Sequence, residues 1–243
     1  MKQQPPVSLS RTLVRAGLTA LLMLLATSCA LLPQPEVLPP TSDAPPTEPA
    51  AVVPANATPY RVTEAQLTIY TFKAGWLKDL SHAHVIETRS VSGDIHLADP
   101  VANSTARLQF RPWDLELDKP ESRAAAGAGF ESPRSAEDIA ATRTRMLGPR
   151  GFHSNDHPWV TIDVRWQDAE QVGLNIHFRD ATYAFSVPLT WSLEGKVIRA
   201  AADFELSHRE LGIRPYSAFA GAIAVANPIR VQLMLSARPA APL

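Results

Sequence analysis

The sequence predicts an all-β fold, an antiparallel sandwich or barrel, for the part of the chain that begins near Tyr60. Three observations lead to this prediction. Apolar residues recur at every second position in about eight stretches, which is the period of a half-buried β-strand. Most of these stretches follow one another with only short turns between them, an order typical of antiparallel sheets. One segment alone carries the signals of a helix.

The strands are predicted from this alternation. The longest alternating stretch includes Pro188, which predicts an edge strand or a bulge because proline cannot donate a backbone hydrogen bond. The apolar positions of that stretch are Tyr183, Phe185, Val187, Leu189, Trp191 and Leu193. The predicted strands are 66–73, 84–97, 105–113, 160–166, 172–178, 182–193, 198–206 and 229–235.

A helix is predicted at 135–147, between the third and fourth strands. Ser135 is a capping residue, acidic residues follow it, arginines come late and Gly148 stands after the end. A loop of small residues at 124–129 precedes the helix. Three arginines near the helix end either meet a phosphate or lipid head group or complement the helix dipole and surface acids. They are Arg143, Arg145 and Arg150.

Residues 1–28 have the features of a signal peptide. A basic start without acidic residues precedes an apolar run at 16–26, which is shorter than the roughly 20 residues that span a bilayer. The run leads to Ala-Thr-Ser-Cys at 26–29, which resembles the lipobox of bacterial lipoproteins. In those proteins the signal is cut before the cysteine, which is then acylated. We therefore predict lipidation of Cys29; an ordinary secretory signal with an incidental cysteine is the alternative.

Residues 29–60 are predicted to form a lipid-anchored, disordered linker. The segment is rich in Pro, Ala and Thr and lacks helical or strand periodicity before Tyr60. Proline restricts φ and removes backbone donors, so an extended polyproline II tether is expected. Ala30 follows the cysteine where Asp is associated with retention at the inner membrane. The sequence thus favours the outer membrane, with the domain facing the periplasm.

Composition and missing motifs argue against several classes of function. The chain has 23 Lys and Arg against 24 Asp and Glu, which gives no electrostatic reason to expect nucleic acid as a partner. It contains no Gly-x-Ser-x-Gly, no His-Glu-x-x-His, no Walker loop and no dinucleotide fingerprint. Asp114, Glu116 and Asp118 alternate and are interpreted as the solvated side of a strand. The chain is predicted not to be an enzyme.

Three stretches together resemble the YceI-like family. They are LSHAHVIETRSVSGDIHL at 80–97, the segment 120–162 with Thr144-Arg145-Met146-Leu147, Phe152 and Pro158, and the segment 204–237 with Leu211-Gly212-Ile213. The resemblance covers about residues 61–238 and implies a lipocalin-like, eight-stranded antiparallel β-barrel with one helical insertion and a long apolar cavity. Characterised members are periplasmic or secreted and bind polyisoprenoid or other amphiphilic chains.

The predicted ligand contacts combine the apolar wall of such a barrel with polar groups at its mouth. They are His82, His84, Phe152, Tyr183, Phe185 and Trp191. His82 and His84 stand two apart on a predicted strand, so their side chains point to the same face. Three interpretations remain open: one histidine bonds a loop carbonyl, both contact a ligand head group, or both share a metal with a distant third ligand.

The sequence therefore predicts a periplasmic lipoprotein, anchored to the outer membrane, that binds, carries or sequesters a long apolar ligand. The ligand class is a polyisoprenoid, a quinone-like lipid or a fatty-acyl chain, and no other cofactor is predicted. The predicted partners are this ligand and the membrane, through acylated Cys29. The alternatives are an envelope interaction module with a packed core and no ligand, or a metal-binding protein that uses His82 and His84.

Overall fold

The computed structural model describes residues 53–240, and this part of the chain is mostly β-structure. The strands are β1 (Thr58–Ala74), β2 (His84–Thr88), β3 (Ser92–Leu97), β4 (Thr105–Phe110), β5 (Glu116–Leu117), β6 (Val160–Trp166), β7 (Gln171–Phe178), β8 (Ala181–Pro188), β9 (Thr190–Glu194), β10 (Val197–Ser207), β11 (Ser217–Ala218) and β12 (Ile223–Pro239). The α-helices are α1 (Pro120–Ala126) and α2 (Ala136–Leu147). Single 3-10 turns occur at Lys78–Leu80, Val101–Asn103, Pro112–Asp114 and Phe219–Gly221.

The main sheet is antiparallel and closes on itself. Its strand order is β8-β7-β6-β4-β3-β1-β12-β10-β9. The two end strands, β8 and β9, are consecutive in the chain and are separated only by Leu189. Because β8 pairs with β7 while β9 pairs with β10, the segment 181–194 joins both ends of the sheet. Counted as one strand, it makes a barrel of eight, which confirms the predicted lipocalin-like antiparallel β-barrel.

The barrel wall is split on one side. The pairing of β9 with β10 ends at Thr190 and Ala201. Beyond that point, residues 181–188 of β8 and 202–207 of β10 run without backbone pairing to each other in the described part of the chain. We call this gap the seam. Pro188 lies at its base and has no N–H to donate across it.

A loop at 208–216 lies beside the seam. The backbone of Gly212 comes so close to the Tyr183 hydroxyl that a Cβ added there would stand 2.4 Å from it. Gly212 also has φ +65°, a conformation that residues with a Cβ rarely adopt. Leu211 and Ile213, on either side, pack against the barrel core. The loop is therefore shaped to lie against the β8 side of the seam.

The first and last strands of the domain pair along nearly their whole length. The register runs from Tyr60 opposite Pro239 to Ala74 opposite Ala224, with two bulges. The opposite edge of β1 pairs with β2 and β3, so β1 lies in the middle of the sheet. The domain thus begins and ends on adjacent strands.

The predicted strands and helical insertion agree with the structure, with several refinements. The predicted strand 182–193 is divided at Leu189, β1 begins at Thr58 inside the predicted linker, and the predicted loop 124–129 begins within α1. The predicted strand 84–97 is two strands, β2 and β3, of which only β3 lies on the barrel path. The insertion between β5 and β6 contains α1 as well as the predicted α2. Ser135 caps α2 as expected, since its hydroxyl accepts a hydrogen bond from the Asp138 N–H at 3.0 Å. Residues 1–28 and most of the predicted linker lie outside the described residues.

Candidate functional site

The inner face of the barrel carries apolar side chains that stay partly accessible near the seam. Alternation along β10 puts Ile198 and Leu206, both buried in the core, on the inner face. The inward side chains between them are only half-buried, as are Leu233 on β12 and three inward side chains at 183–189, whereas Val187, Val231 and Leu235, which alternate with these, are buried. This half-buried inner set, which we call the lumen wall, consists of Tyr183, Phe185, Leu189, Ala200, Ala202, Phe204 and Leu233.

Most of the inner face away from the lumen wall is closed. Inward side chains on the other strands, such as Ile95, Leu108 and Leu174, are buried, although Ile69 on β1 and Ile162 on β6 are half-buried as well. Along β10 the lumen wall presents two small side chains, Ala200 opposite Trp191 of β9 and Ala202 at the base of the seam, and then Phe204. Small side chains in a barrel wall leave space beside them, which Ala200 and Ala202 place near the base of the seam.

Phe152 and Tyr183 belong to one aromatic row at the seam. Phe152 meets Phe178 edge-on with ring centroids 5.5 Å apart, and Phe178 lies 6.4 Å from Tyr183. Phe185 is the next inward residue on β8. Three predicted contacts, Phe152, Tyr183 and Phe185, are therefore brought to one side of the lumen.

Trp191 stands apart from this row. It lies on β9, opposite Ala200, and its indole N–H donates to the carbonyl of Ala169 at 3.1 Å. Its side chain is half-buried. The hydrogen bond ties β9 to the turn between β6 and β7, below the base of the seam.

The structure places His84 in a buried polar network with an acid and an arginine. The Nδ1 atom of His84 lies 2.6 Å from a carboxylate oxygen of Asp118, whose side chain is fully buried. Arg123 of α1 donates to the other Asp118 oxygen at 2.5 Å and to the carbonyl of Ala83 at 2.9 Å. The backbone N–H of Val85 also donates to Asp118, at 3.0 Å. We call these side chains, His84, Asp118 and Arg123, the acid network.

The acid network determines the charge state of its carboxyl group. Burial by itself raises the pKa of Asp118, but hydrogen bonds from His84, Val85 and Arg123 and the charge of His84 outweigh it. The net effect holds the pKa of Asp118 below its usual value. The ionised Asp118 can hold the adjoining Arg123 as its buried counter-ion.

His82 has a different environment from His84. Its ring meets that of His84 edge-on at 6.4 Å, and it is half-buried. Burial first, and then the charges of Arg134 and His84, lower the pKa of His82. Within residues 53–240, no group of three or more His, Cys, Asp or Glu side chains is arranged to hold a metal ion.

The interpretation of Asp118 as a solvated acid is wrong. Its side chain is completely buried, whereas Glu116 is exposed. The alternation fails because the strand β5 is only two residues long and Asp118 follows it with φ +54°. Sequence reasoning also missed Arg123. The signal that could have found it is an arginine five residues after an acid, within a stretch of small residues.

The three arginines near the end of α2 have separate roles. Arg143 donates to the backbone carbonyls of Leu115 and Trp113, and so ties the helix to the turn before β5. Arg145 is exposed and lies over the ring of Tyr216, 5.3 Å from its centroid. Arg150 is exposed. They do not form one cluster around a common anion.

Cys29 lies outside the described residues, so its predicted lipidation stays a prediction. Among the described helices, none has the length and apolar character needed to cross a membrane.

Comparison with known proteins gives structural neighbours of low sequence identity. No family model matches the sequence, and no curated protein matches it either. Among solved structures, the chain is similar to BcnA of Burkholderia cenocepacia, with 8% identity and a TM-score of 0.48 over 71% of this chain and 95% of that one. A polyisoprenoid binding domain from Saccharophagus degradans has 10% identity and a TM-score of 0.49 over 74% and 98%.

A Campylobacter jejuni YCEI protein is a further neighbour, with 8% identity and a TM-score of 0.44 over 64% of this chain and 84% of that one. The YceI-like family, which the sequence motifs resemble, is therefore represented among the structural neighbours.

Proposed function

We propose that the barrel binds, carries or sequesters one long apolar ligand in its lumen, and that it is not an enzyme. The observation that carries this proposal is the lumen wall: seven apolar, inward-facing side chains that the fold leaves only half-buried. Apolar surface that is accessible inside a barrel stays costly until an apolar ligand covers it.

The chemistry of the wall selects the ligand class. The lumen wall combines three aromatic rings with aliphatic side chains, and no charged side chain belongs to it. An eight-stranded barrel holds about one slender ligand. A polyisoprenoid, a quinone-like lipid or a fatty-acyl chain meets both conditions, because each is long, narrow and without charge along its length.

His84 is the polar group best placed for a ligand head group. Alternation along β2 puts it on the same face as Ile86, which is part of the barrel core. The Nδ1 atom of His84 is hydrogen-bonded to Asp118, so the Nε2 atom of His84 is the one that can contact another partner. In this proposal His84 has a structural bond on one nitrogen and a ligand contact on the other.

Organic-solvent extraction of the purified full chain tests the proposed function. Mass spectrometry of the extract should find one isoprenoid, quinone-like or fatty-acyl lipid at about one molecule per chain, enriched over the surrounding membrane lipid. A blank of detergent micelles from the same host is the control. An extract indistinguishable from that blank would support the interaction module instead.

We also propose that the protein is a periplasmic lipoprotein, anchored through Cys29 to the outer membrane. The support is the basic start, the short apolar run and the lipobox-like sequence at 26–29. Replacing Cys29 by Ser should abolish labelling with radioactive palmitate and block normal processing in a bacterial host. A wild-type protein that is soluble and unlabelled in the same host would contradict the anchor.

A further inference from the structure

Three large apolar side chains stand in solvent at one end of the barrel. Trp76, Leu80 and Phe219 are 79%, 65% and 74% exposed. We call these three residues the apolar tip. Trp76 differs from the other four tryptophans, which are all buried or half-buried. Isolated exposed apolar residues are ordinary, but a cluster of them marks an interaction surface.

The two loops that carry the apolar tip are joined by their backbones. The N–H of Leu77 donates to the carbonyl of Ala222 at 2.9 Å. A Cβ on Gly75 would stand 2.5 Å from the carbonyl oxygen of Gly221, so the two backbone segments are in contact there. The loops follow the end of β1 and precede β12, which pair at Ala74 and Ala224. The apolar tip is thus one feature at one barrel end.

The backbone around Phe219 is held in an unfavourable conformation. Phe219, Ala220 and Gly221 have successive φ values of +49°, +53° and +90°. Residues with a Cβ rarely adopt such angles, and where they do the conformation is often tied to function. Here the strained turn holds an aromatic ring outward, away from the core.

Exposed cations occur on the segments that carry the apolar tip or lead to it. Lys78 lies between Trp76 and Leu80 in the chain, and Arg214 lies on the segment that leads to Phe219; both are exposed. Neither pairs with a carboxylate among the described residues. The nearby Asp79 already faces Lys73, at 3.5 Å. Arg145 of α2, stacked on Tyr216, adds a third exposed cation.

We infer that the apolar tip docks on the surface of an anionic lipid bilayer. Tryptophan favours the membrane interface, where its ring is apolar and its N–H stays hydrated. Leucine and phenylalanine beside it add apolar area, and lysine and arginine around them attract phosphate head groups. Separate protruding side chains, with exposed cations on the same segments, fit the mobile head-group layer better than a rigid protein surface. This inference is independent of what the lumen holds.

Site-specific fluorescence in the full chain tests the docking. Cys29→Ser leaves no native thiol, so that Leu80→Cys or, as matched control, the exposed Met234→Cys can carry an environment-sensitive label. With vesicles of phosphatidylglycerol and phosphatidylethanolamine, the label at position 80 should shift to the blue and lose quenching by aqueous iodide. The label at position 234 should do neither.

Binding measured by co-sedimentation should depend on the same residues. Replacing Trp76 and Phe219 together by Ser should weaken vesicle binding at least about tenfold, and raising the salt concentration should weaken it further. If the protein binds vesicles while the labels at positions 80 and 234 both remain quenched by aqueous iodide, another segment attaches it to the membrane and the inference fails. It fails equally if the label at position 80 shifts without vesicles as protein concentration rises, since a second copy then covers the tip.

Discussion

Replacing Asp118 by Ala is expected to lower the free energy of unfolding by about 3–5 kcal/mol, since it removes one partner of a buried ion pair. The Asp118 side chain is fully buried and that of Arg123 is 6% exposed. Without the carboxylate, Arg123 would keep its charge in the interior and His84 and the Val85 N–H would lose their acceptor. Urea denaturation followed by circular dichroism measures the loss.

Asp203→Ala is the matched control for this prediction. Asp203 also binds an arginine, Arg230, through both carboxylate oxygens, but its side chain is 45% exposed. Arg230 holds the pKa of Asp203 at about 2, yet solvent screening limits such surface pairs to about 1 kcal/mol. Equal losses from the two substitutions would show that the acid network does not stabilise the fold.

The acid network also predicts a pH dependence of stability. The pKa of Asp118 is lower in the folded chain than its usual 3.8, so the unfolded chain binds more protons at acidic pH. The contribution of Asp118 is therefore complete above the unfolded pKa and is lost as pH falls through the folded value. Asp118→Asn should unfold more easily at neutral pH and lose less further stability below pH 4 than the wild type does.

Replacing Ala202 by Trp is expected to weaken binding of an apolar chain roughly 50-fold. Ala202 lies on the lumen wall, opposite Leu233 of β12. An indole there would displace about three methylenes of ligand, at about 0.8 kcal/mol each, or about 2.4 kcal/mol in total. Competition with a fluorescent fatty-acyl or polyprenyl probe measures the change.

Ala201→Trp is the control because it makes the same substitution one residue away, on the outer face. Ala201 lines an exterior depression of about 430 Å³ together with the outward-facing Asp203, Gln232 and Met234, and Ala202 and Leu233 of the wall contribute to it as well. It should leave probe binding within about twofold of the wild type. If the outer variant loses binding and the inner one keeps it, the ligand occupies the depression and the lumen is not the site.

The strands were predictable because each barrel strand exposes one face to solvent and packs the other face into the interior of the barrel. That environment selects alternating residues, and the alternation is visible in 172–178 and 198–206 without any knowledge of neighbours. The position of Pro188 even indicated an interruption in the longest strand. What it could not indicate is that the two halves pair with opposite ends of the sheet, since pairing is a non-local property.

The acid network and the lumen wall could not be predicted for related reasons. α1 is short and has no side-chain cap, and the interpretation of 124–129 as a loop overlooked its Pro120 start and its alanines. Its Arg123 is held by Asp118 and Ala83, which precede the helix. The lumen wall depends on how far β8 and β10 separate, which no local pattern records. Alternation and the family resemblance predict Tyr183 and Phe185 as ligand contacts, whereas Ala200 and Ala202 look like ordinary strand residues in the sequence.

The pairing of β1 with β12 has a consequence for how the barrel assembles. About 150 residues separate the end of β1 from the start of β12. A chain that emerges from its N-terminus first therefore exposes one edge of β1 until almost all of it has been released. Such long-range pairing is slow to form, and an unpaired edge can meanwhile join strands of other chains. The time until residues 223–239 are released and pair with β1, rather than the strength of any contact in the finished barrel, therefore determines how long the folding chain is exposed to aggregation.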